Sequence, residues 1–222
     1  MLILTVDTSG KYGSIALASC VPEADCRILE VVALTGGTFS AELVPQIMAL
    51  LQKHGFGKGD IEAFAVASGP GSFTGLRVGL AAIKALAEVL QKPIAAVSLL
   101  EAVMAATVML EGKIMAALDA GRAEIYLGEP ESPATGVLRE RLLSKEEFLG
   151  AAKGATVVTP DISIIQIVRA AGLQVHEVER PRSDTIARIA WKKIQSGEIV
   201  APENLDANYI RRSDAEIFAK IK

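Results

Sequence analysis

A glycine-rich run links a short apolar stretch to a long helical pattern in the first half of the sequence. Residues 68–79 read SGPGSFTGLRVG. Glycine lets a backbone approach a ligand closely, and the free amides at a helix start favour negative charge. The run therefore suits an anion such as phosphate. An equally weighted interpretation is a tight turn capped by Ser72, with Gly75 and Gly79 spaced so that a neighbouring segment packs closely.

A second polar group follows the first apolar stretch. Asp7, Thr8 and Ser9 place a carboxylate and two hydroxyls at a predicted strand-to-strand turn, and such a turn can orient a metal-bound phosphate. The alternative is an Asx turn, in which Asp7 bonds its own backbone. Asp119 takes the corresponding place in the second half of the sequence. The candidate phosphate or nucleotide residues are Asp7, Thr8, Ser9, Gly69, Gly71, Ser72 and Asp119.

Several familiar catalytic motifs are absent from the sequence. The glycine-rich run lacks the Gly-Lys-Ser/Thr ending of a P-loop and the glycine spacing of a dinucleotide fingerprint. It also lacks the Gly-x-Ser-x-Gly pattern of a serine-hydrolase elbow. His54 and His176 are the two histidines of the chain, which leaves little basis for a catalytic triad.

Apolar patterning predicts an α/β scaffold for these residues. The first half predicts strands over 2–7, 14–18, 27–34, 63–68 and 93–97, with helices over 40–54, 74–91 and 99–110. The second half predicts strands over 114–119, 124–128, 137–143 and 155–158, with helices from 144, over 161–171 and around 185–195. We therefore expect two lobes, residues 1–104 and 105–204, with residues 205–222 packing back on the first. The similar order of elements suggests an internal duplication.

Composition narrows the classes of function. Of 222 residues half are hydrophobic and 22% are charged, with a net charge of −3, which is typical of a globular protein and argues against direct binding of nucleic acid. No apolar run approaches the roughly 18 to 20 residues of a membrane span. Cys20 and Cys26 flank a turn that contains Pro22. Two cysteines make no disulfide framework, so we expect reduced thiols and a cytoplasmic location.

Four segments in order resemble one family. They are Asp7-Thr8-Ser9, residues 68–79, LDAGRAEIY at 118–126 and YIRR at 209–212. Together they resemble the TsaB family, also called YeaZ. The resemblance implies an actin-like fold of the ASKHA superfamily, with two lobes that each hold a mixed sheet flanked by helices.

The resemblance also implies a role as a non-catalytic subunit. Such a subunit dimerises with TsaD and supports docking of TsaE, for formation of N6-threonylcarbamoyladenosine at position 37 of tRNAs that read ANN codons. A homodimer is the alternative state, and tRNA is reached only indirectly through the complex. The implied partner interface lies on the first-lobe helices at Leu43, Val44, Ile47, Met48, Leu51, Thr74, Gly75, Arg77, Val78 and Gly79. Simple burial of these residues under the sheet is the alternative.

The catalytic relative of that family holds a metal through His-x-x-x-His on its first helix, where this chain reads FSAEL at 39–43. Glu42 alone cannot form such a site, so we expect no metal and assign no catalytic residue. The rival function is a small-molecule kinase or ATPase that uses Asp7, the turn at 69–75 and Asp119 around a magnesium nucleotide. A peptidase is a weaker rival. No cofactor of its own is expected, and weak nucleotide binding, by the chain or at the interface of the complex, stays an alternative.

Overall fold

The computed structural model describes residues 1–22, 25–107, 110–131 and 137–210. Within these ranges the chain forms two units. The first contains residues 1–98 and 181–208, and the second contains residues 99–180 with 209–210. Each unit holds one mixed five-stranded sheet with helices against it, which confirms the predicted α/β class and actin-like lobes.

The first sheet has the order β3-β2-β1-β4-β5. Its strands are β1 (Leu2–Asp7), β2 (Tyr12–Ser19), β3 (Arg27–Thr35), β4 (Ala63–Gly69) and β5 (Ile94–Ser98). β1 pairs antiparallel with β2 and parallel with β4. Both β1 and β4 are buried along their whole length, as expected of central strands covered on both faces.

Two long helices cover one face of the first sheet. They are α1 (Phe39–Lys53) and α2 (Phe73–Leu90). Their apolar residues join those of the sheet in one buried cluster, which includes Leu4, Leu17, Leu43 and Ile83. Alternate residues of β1 supply this cluster, because successive side chains of a strand point to opposite faces.

The second unit repeats the topology of the first. It contains α3 (Leu99–Met104), β6 (Ile114–Gly121), β7 (Glu124–Pro130), β8 (Leu138–Ser144), α4 (Lys145–Ala151), β9 (Thr156–Thr159), α5 (Ile162–Ala170) and β10 (Gln174–Glu177). The sheet order β10-β9-β6-β7-β8 matches that of the first sheet when read from its other end. β6 pairs antiparallel with β7 and parallel with β9, as β1 does with β2 and β4. The shared order agrees with the suggested internal duplication.

The helix that directly follows each sheet in the sequence packs on the other sheet. α6 (Ser183–Ser196) follows the second sheet in the chain but contacts β1, β2 and β5, whereas α3 follows the first sheet and contacts β6 and β7. The predicted lobes, 1–104 and 105–204, differ from these units because residues 99–104 pack with the second sheet and α6 with the first. β10 and the short 3-10 helices Lys58–Asp60, Ala105–Thr107 and Pro202–Asn204 were not predicted.

Ser14 shows how α6 is attached to the first sheet. Ile15, its neighbour in β2, belongs to the cluster under α1 and α2, so Ser14 points to the other face. The two hydroxyls of Ser14 and Ser183 are 2.7 Å apart, and the Ser183 amide donates to Ser14 Oγ at 3.0 Å. Both residues are buried, so these bonds fix the start of α6 on β2.

The two cysteines correct one prediction. Cys20 and Cys26 form a disulfide, with 4.2 Å between their Cα atoms, so the expectation of reduced thiols is wrong. The cause is the antiparallel pairing of Ser19 with Arg27, because Cys20 directly follows one of these residues and Cys26 directly precedes the other. The cytoplasmic location rested on reduced thiols and stays a prediction. Among the described residues no helix is long and apolar enough to cross a membrane.

Candidate functional site

The turn after β1 and the glycine-rich run lie together in the first unit. β1 and β4 are parallel neighbours, so their carboxyl ends meet at one edge of the sheet. Asp7 Oδ1 accepts hydrogen bonds from the Ser9 amide at 2.9 Å and from the Ser9 hydroxyl at 2.5 Å. Asp7 is only 6% exposed. This geometry is the Asx turn that the sequence offered as the alternative to a phosphate ligand.

The glycines of the run allow the turn after β1 to lie directly on α2. The Ser72 amide donates to the Ser9 carbonyl oxygen at 2.6 Å, and Thr8 Oγ1 donates to the Gly75 carbonyl oxygen at 2.7 Å. A Cβ added to Gly75 would lie 2.1 Å from the Thr8 carbonyl oxygen, and one added to Gly71 would lie 2.5 Å from that of Ser9. Only glycine permits this close approach.

The amides at the start of α2 are partly used by the chain itself. Ser72 caps the helix, and its hydroxyl accepts from the Gly75 amide at 3.3 Å. The Ser72 amide donates to the Ser9 carbonyl oxygen. These contacts support the interpretation of a capped, tightly packed turn. The phosphate interpretation of Gly69, Gly71 and Ser72 stays a prediction.

Asp119 forms a comparable turn in the second unit. Its Oδ1 accepts from the Gly121 amide at 2.7 Å, and its Oδ2 accepts from the Ser163 hydroxyl of α5 at 2.6 Å. Asp161 Oδ2 accepts from the Asp119 amide at 2.8 Å. Unlike Asp7, Asp119 is exposed. The magnesium-nucleotide site that the rival function assigns to Asp7 and Asp119 stays a prediction.

A groove of about 490 Å³ lies between α1 and α2, and we call it the α1–α2 groove. It is mainly apolar, with one cation. The Arg77 guanidinium lies over the Phe73 ring, 3.7 Å from its centroid, which is a cation–π contact. The lining residues are Phe39, Ser40, Leu43, Val44, Phe73, Thr74, Arg77, Val78, Ala81 and Ala82.

The structure divides the predicted interface residues into two sets. Five are buried within the unit: Leu43, Ile47, Leu51, Gly75 and Gly79. The others reach the surface: Val44 at 51% exposed, Met48 at 47%, and Thr74, Arg77 and the half-buried Val78. The apolar residues of α1 therefore face the core on one side of the helix and the surface on the other.

Several lining residues were not predicted as interface residues. They are Phe39, Ser40, Phe73, Ala81 and Ala82. A sequence signal for part of this set exists, because Phe73, Arg77 and Ala81 are spaced four residues apart and share one helix face.

The start of α1 bears on metal chemistry. Phe39 and Leu43, spaced one turn apart, are 7% and 1% exposed and form the apolar floor of the groove. His54 lies at the other end of α1 and its Nε2 is 2.8 Å from Glu30 Oε2. In the part of the chain that the structure describes, no three His, Cys, Asp or Glu side chains are grouped as metal ligands.

Comparison with known proteins identifies the family. The model of the family described as "TsaD: tRNA N6-adenosine threonylcarbamoyltransferase" matches residues 34–201. A TsaB protein of Bacillus subtilis is 36% identical over 58% of this chain and 54% of its own length, so the match spans about half of that relative. A TsaB protein of Escherichia coli is 26% identical over 97% of this chain and 96% of its own length. Both carry the description "tRNA threonylcarbamoyladenosine biosynthesis protein TsaB".

Solved structures agree with the fold. YeaZ from Pseudomonas aeruginosa has a TM-score of 0.71 at 23% identity, covering 93% of this chain and all of that one. An activator of 2-hydroxyisocaproyl-CoA dehydratase from Clostridium difficile, with bound ADPNP, has a TM-score of 0.52 at 10% identity and covers 89% of this chain and 97% of that one. In the segment 209–212, Arg211 and Arg212 lie outside the described residues. The chain belongs to the TsaD family, and its resemblance to the TsaB, or YeaZ, proteins is confirmed.

Proposed function

We propose that this chain takes part in tRNA threonylcarbamoyladenosine biosynthesis as a non-catalytic subunit that binds TsaD through the α1–α2 groove. The groove itself is the observation that supports the proposal. Its rim presents Val44, Phe73 and Arg77 to solvent. Aromatic residues and arginine are enriched at protein interfaces and at their energetic hot spots. An exposed apolar groove of this kind fits a protein partner.

The composition of the groove suits a second helical surface. Thr74 and Ala81 leave room between the larger side chains of α1 and α2, and an apolar ridge of a partner can enter such a gap. A second copy of this chain would use the same surface. Homodimer and TsaD complex are therefore expected to exclude each other.

The non-catalytic part of the proposal rests on the start of α1 and on Asp7. Phe39 and Leu43 occupy the one-turn spacing at which the catalytic relative is expected to carry two histidines. The Asp7 carboxylate is bonded to Ser9 inside the turn. We therefore assign the bond-making step to TsaD, and TsaE docks on the complex. Because the net charge of this chain is −3, tRNA contacts the partner proteins and not this chain.

Reconstitution tests this function. Unmodified tRNA that reads ANN codons is incubated with TsaD, TsaE and the threonylcarbamoyl-adenylate synthase of the same organism, with and without this chain. We expect modified adenosine at position 37 only when the chain is present, together with a stable complex with TsaD. Equal product without the chain, and no complex, would contradict the proposal.

A second assay separates the subunit from the rival enzyme. The isolated chain is incubated with ATP and magnesium, and hydrolysis is measured beside an Asp7→Asn variant. We expect no turnover above the variant. Turnover that Asp7→Asn abolishes would favour the kinase or ATPase interpretation.

A further inference from the structure

One segment near the end of the first unit lies outside the α1–α2 groove but contacts the helix that lines it. Residues 199–208, which we call the strap, follow α6 and run beside β5 to the glycine-rich turn. The Val200 amide donates to the Ile94 carbonyl oxygen at 2.8 Å, and Leu205 is 5% exposed within the main apolar cluster. The strap is therefore attached to the unit at Val200 and packed into its core at Leu205.

The strap contacts the middle of α2. Lys84 Nζ donates to the carbonyl oxygens of Glu203 at 3.2 Å and Leu205 at 3.4 Å. The 3-10 helix Pro202–Asn204 also packs on α2. At 100° per residue Lys84 lies about 120° around the helix from Val78, which faces the groove. α2 therefore has α1 on one flank and the strap on the other.

The strap also contacts the turn that leads into α2. The Asn208 amide donates to the Ser68 carbonyl oxygen at 2.7 Å. The Asn208 carbonyl oxygen lies 3.1 Å from the position of a Cβ on Gly69, whose φ is +118°. One segment thus holds both the entry to α2 and its middle.

We propose that the strap is the positioning element of the α1–α2 groove and that it acts through the Lys84 ammonium group and the backbone amide of Asn208. This inference rests on the proposed function, since it concerns the binding of TsaD. Phe73, Thr74 and Arg77 all belong to the first turns of α2. Interface cores are packed as densely as protein interiors, and preorganisation of the bound geometry strengthens binding. A loosened strap frees α2 to shift and so weakens the complex.

Two pairs of variants test the strap in the full chain. Asn208→Pro removes the amide that donates to Ser68, and Asn208→Ala keeps it. Lys84→Met removes the ammonium group that donates to the strap and keeps most of the stem. Lys92→Met, two residues past the end of α2, is its control for loss of charge. Each variant is measured well below its own unfolding temperature.

The readouts are affinity for TsaD and amide hydrogen exchange in the first turn of α2. We expect Asn208→Pro and Lys84→Met to weaken binding about tenfold, a free-energy change of roughly 1.4 kcal/mol, and to speed this exchange. The two controls should bind like the wild type. A strap that only stabilises the fold would lower the unfolding temperature without changing either readout.

The outcomes separate the strap from the function beneath it. Wild-type affinity and exchange in Asn208→Pro would overturn the role of the strap. If the proline variant does not fold, wild-type affinity and exchange in Lys84→Met would overturn it instead. A wild-type chain that fails to bind TsaD would contradict the proposed function. In that case, amide hydrogen exchange that is the same in the variants as in the wild type would still overturn the proposed role of the strap.

Discussion

The two units share one sheet topology but use the turn after their first strand differently. Asp7 and Asp119 each accept a hydrogen bond from the backbone amide of the residue two positions later in the chain. The Asp7 turn is buried because the glycines of α2 lie on it, whereas the Asp119 turn is exposed and bonded to Ser163 of α5. One turn is a packing surface for a helix, and the other is a polar network at the surface.

The helices that pack on the two sheets also differ, in their length. α1 and α2 have 15 and 18 residues, whereas α4 and α5 have 7 and 9. The longer pair, α1 and α2, lines the α1–α2 groove, to which the proposed function assigns the binding of TsaD.

The largest effect is expected from filling the glycine contact. In Gly75→Ala the new Cβ would lie 2.1 Å from the Thr8 carbonyl oxygen, so α2 must shift. Overpacking typically costs 1–3 kcal/mol, and we expect about 3 kcal/mol because the neighbour is backbone. Gly150→Ala in α4 is the control, since no atom lies within 4 Å of its Cβ. Alanine there should stabilise the helix by roughly 0.5–1 kcal/mol. Equal effects in urea unfolding would contradict the difference between the two units.

The two aspartates should differ when their acceptors are removed. Asp7→Ala leaves the buried amide and hydroxyl of Ser9 without this acceptor, and we expect a loss of about 2 kcal/mol of unfolding free energy. Asp119→Ala exposes its donors to water, so its cost should stay below about 1 kcal/mol. Thermal unfolding of both variants measures the difference. A larger loss of unfolding free energy in Asp119→Ala than in Asp7→Ala would contradict the assignment of the buried turn to Asp7 and of the exposed turn to Asp119.

The disulfide adds a further difference, between the β2–β3 and β7–β8 hairpins. Both cysteines of the chain lie at the first hairpin. Closing a short loop restricts the unfolded chain, and we expect reduction to cost about 2 kcal/mol. Unfolding is measured with and without a dithiol reductant. The double variant Cys20→Ala/Cys26→Ala is the control, and its stability should be the same in both conditions. No change in the wild type would show that the bond contributes nothing to stability.

The smallest effect concerns two glutamates. Hydrogen bonds from Lys53 and then His54 lower the pKa of Glu30, and bonds from the backbone and side chain of Ser144 lower that of Glu147. Because both folded pKa values are depressed, their stabilisation is present above the ordinary carboxyl pKa. It is lost as the pH falls through the lowered values.

Salt should distinguish the two glutamates. At about 1 M salt the Debye length is near 3 Å, so the pKa of Glu30 should rise towards its ordinary value. Glu147 is held by a capping box, and its pKa should change less. Carboxyl titration by NMR at low and high salt measures both, and an equal response would contradict this assignment of causes.

Local signals predicted much of the fold. The glycine turn, α2 and the succession of strands along the first unit follow from residues close together in the chain. β10 was missed because its four residues, QVHE, carry no clear alternation of buried positions. The exchange of α3 and α6 between the two sheets was missed because it depends on contacts between residues far apart in sequence, such as Ser14 with Ser183.

The residues of the candidate site could be predicted only in part for the same reason. The family resemblance placed the predicted interface on α1 and α2, and helical spacing cannot separate Ile47, which is buried, from Met48, which is 47% exposed. Gly75 and Gly79 have the pattern of a helix-packing face, and the structure shows that their neighbour is Thr8. The partner of a small residue is not encoded in its spacing.

Binding of TsaD to the α1–α2 groove of the first unit is tested most directly by Val44→Asp. Val44 lines the groove and is 51% exposed, so an isolated chain should tolerate the charge. Val137→Asp in the second unit is the matched control at 53% exposed. Hot-spot changes cost 2 kcal/mol or more, so we expect affinity for TsaD to fall about 30-fold or further in Val44→Asp. Val137→Asp should bind like the wild type. Wild-type affinity in Val44→Asp, measured by calorimetry on folded proteins, would contradict binding through this groove.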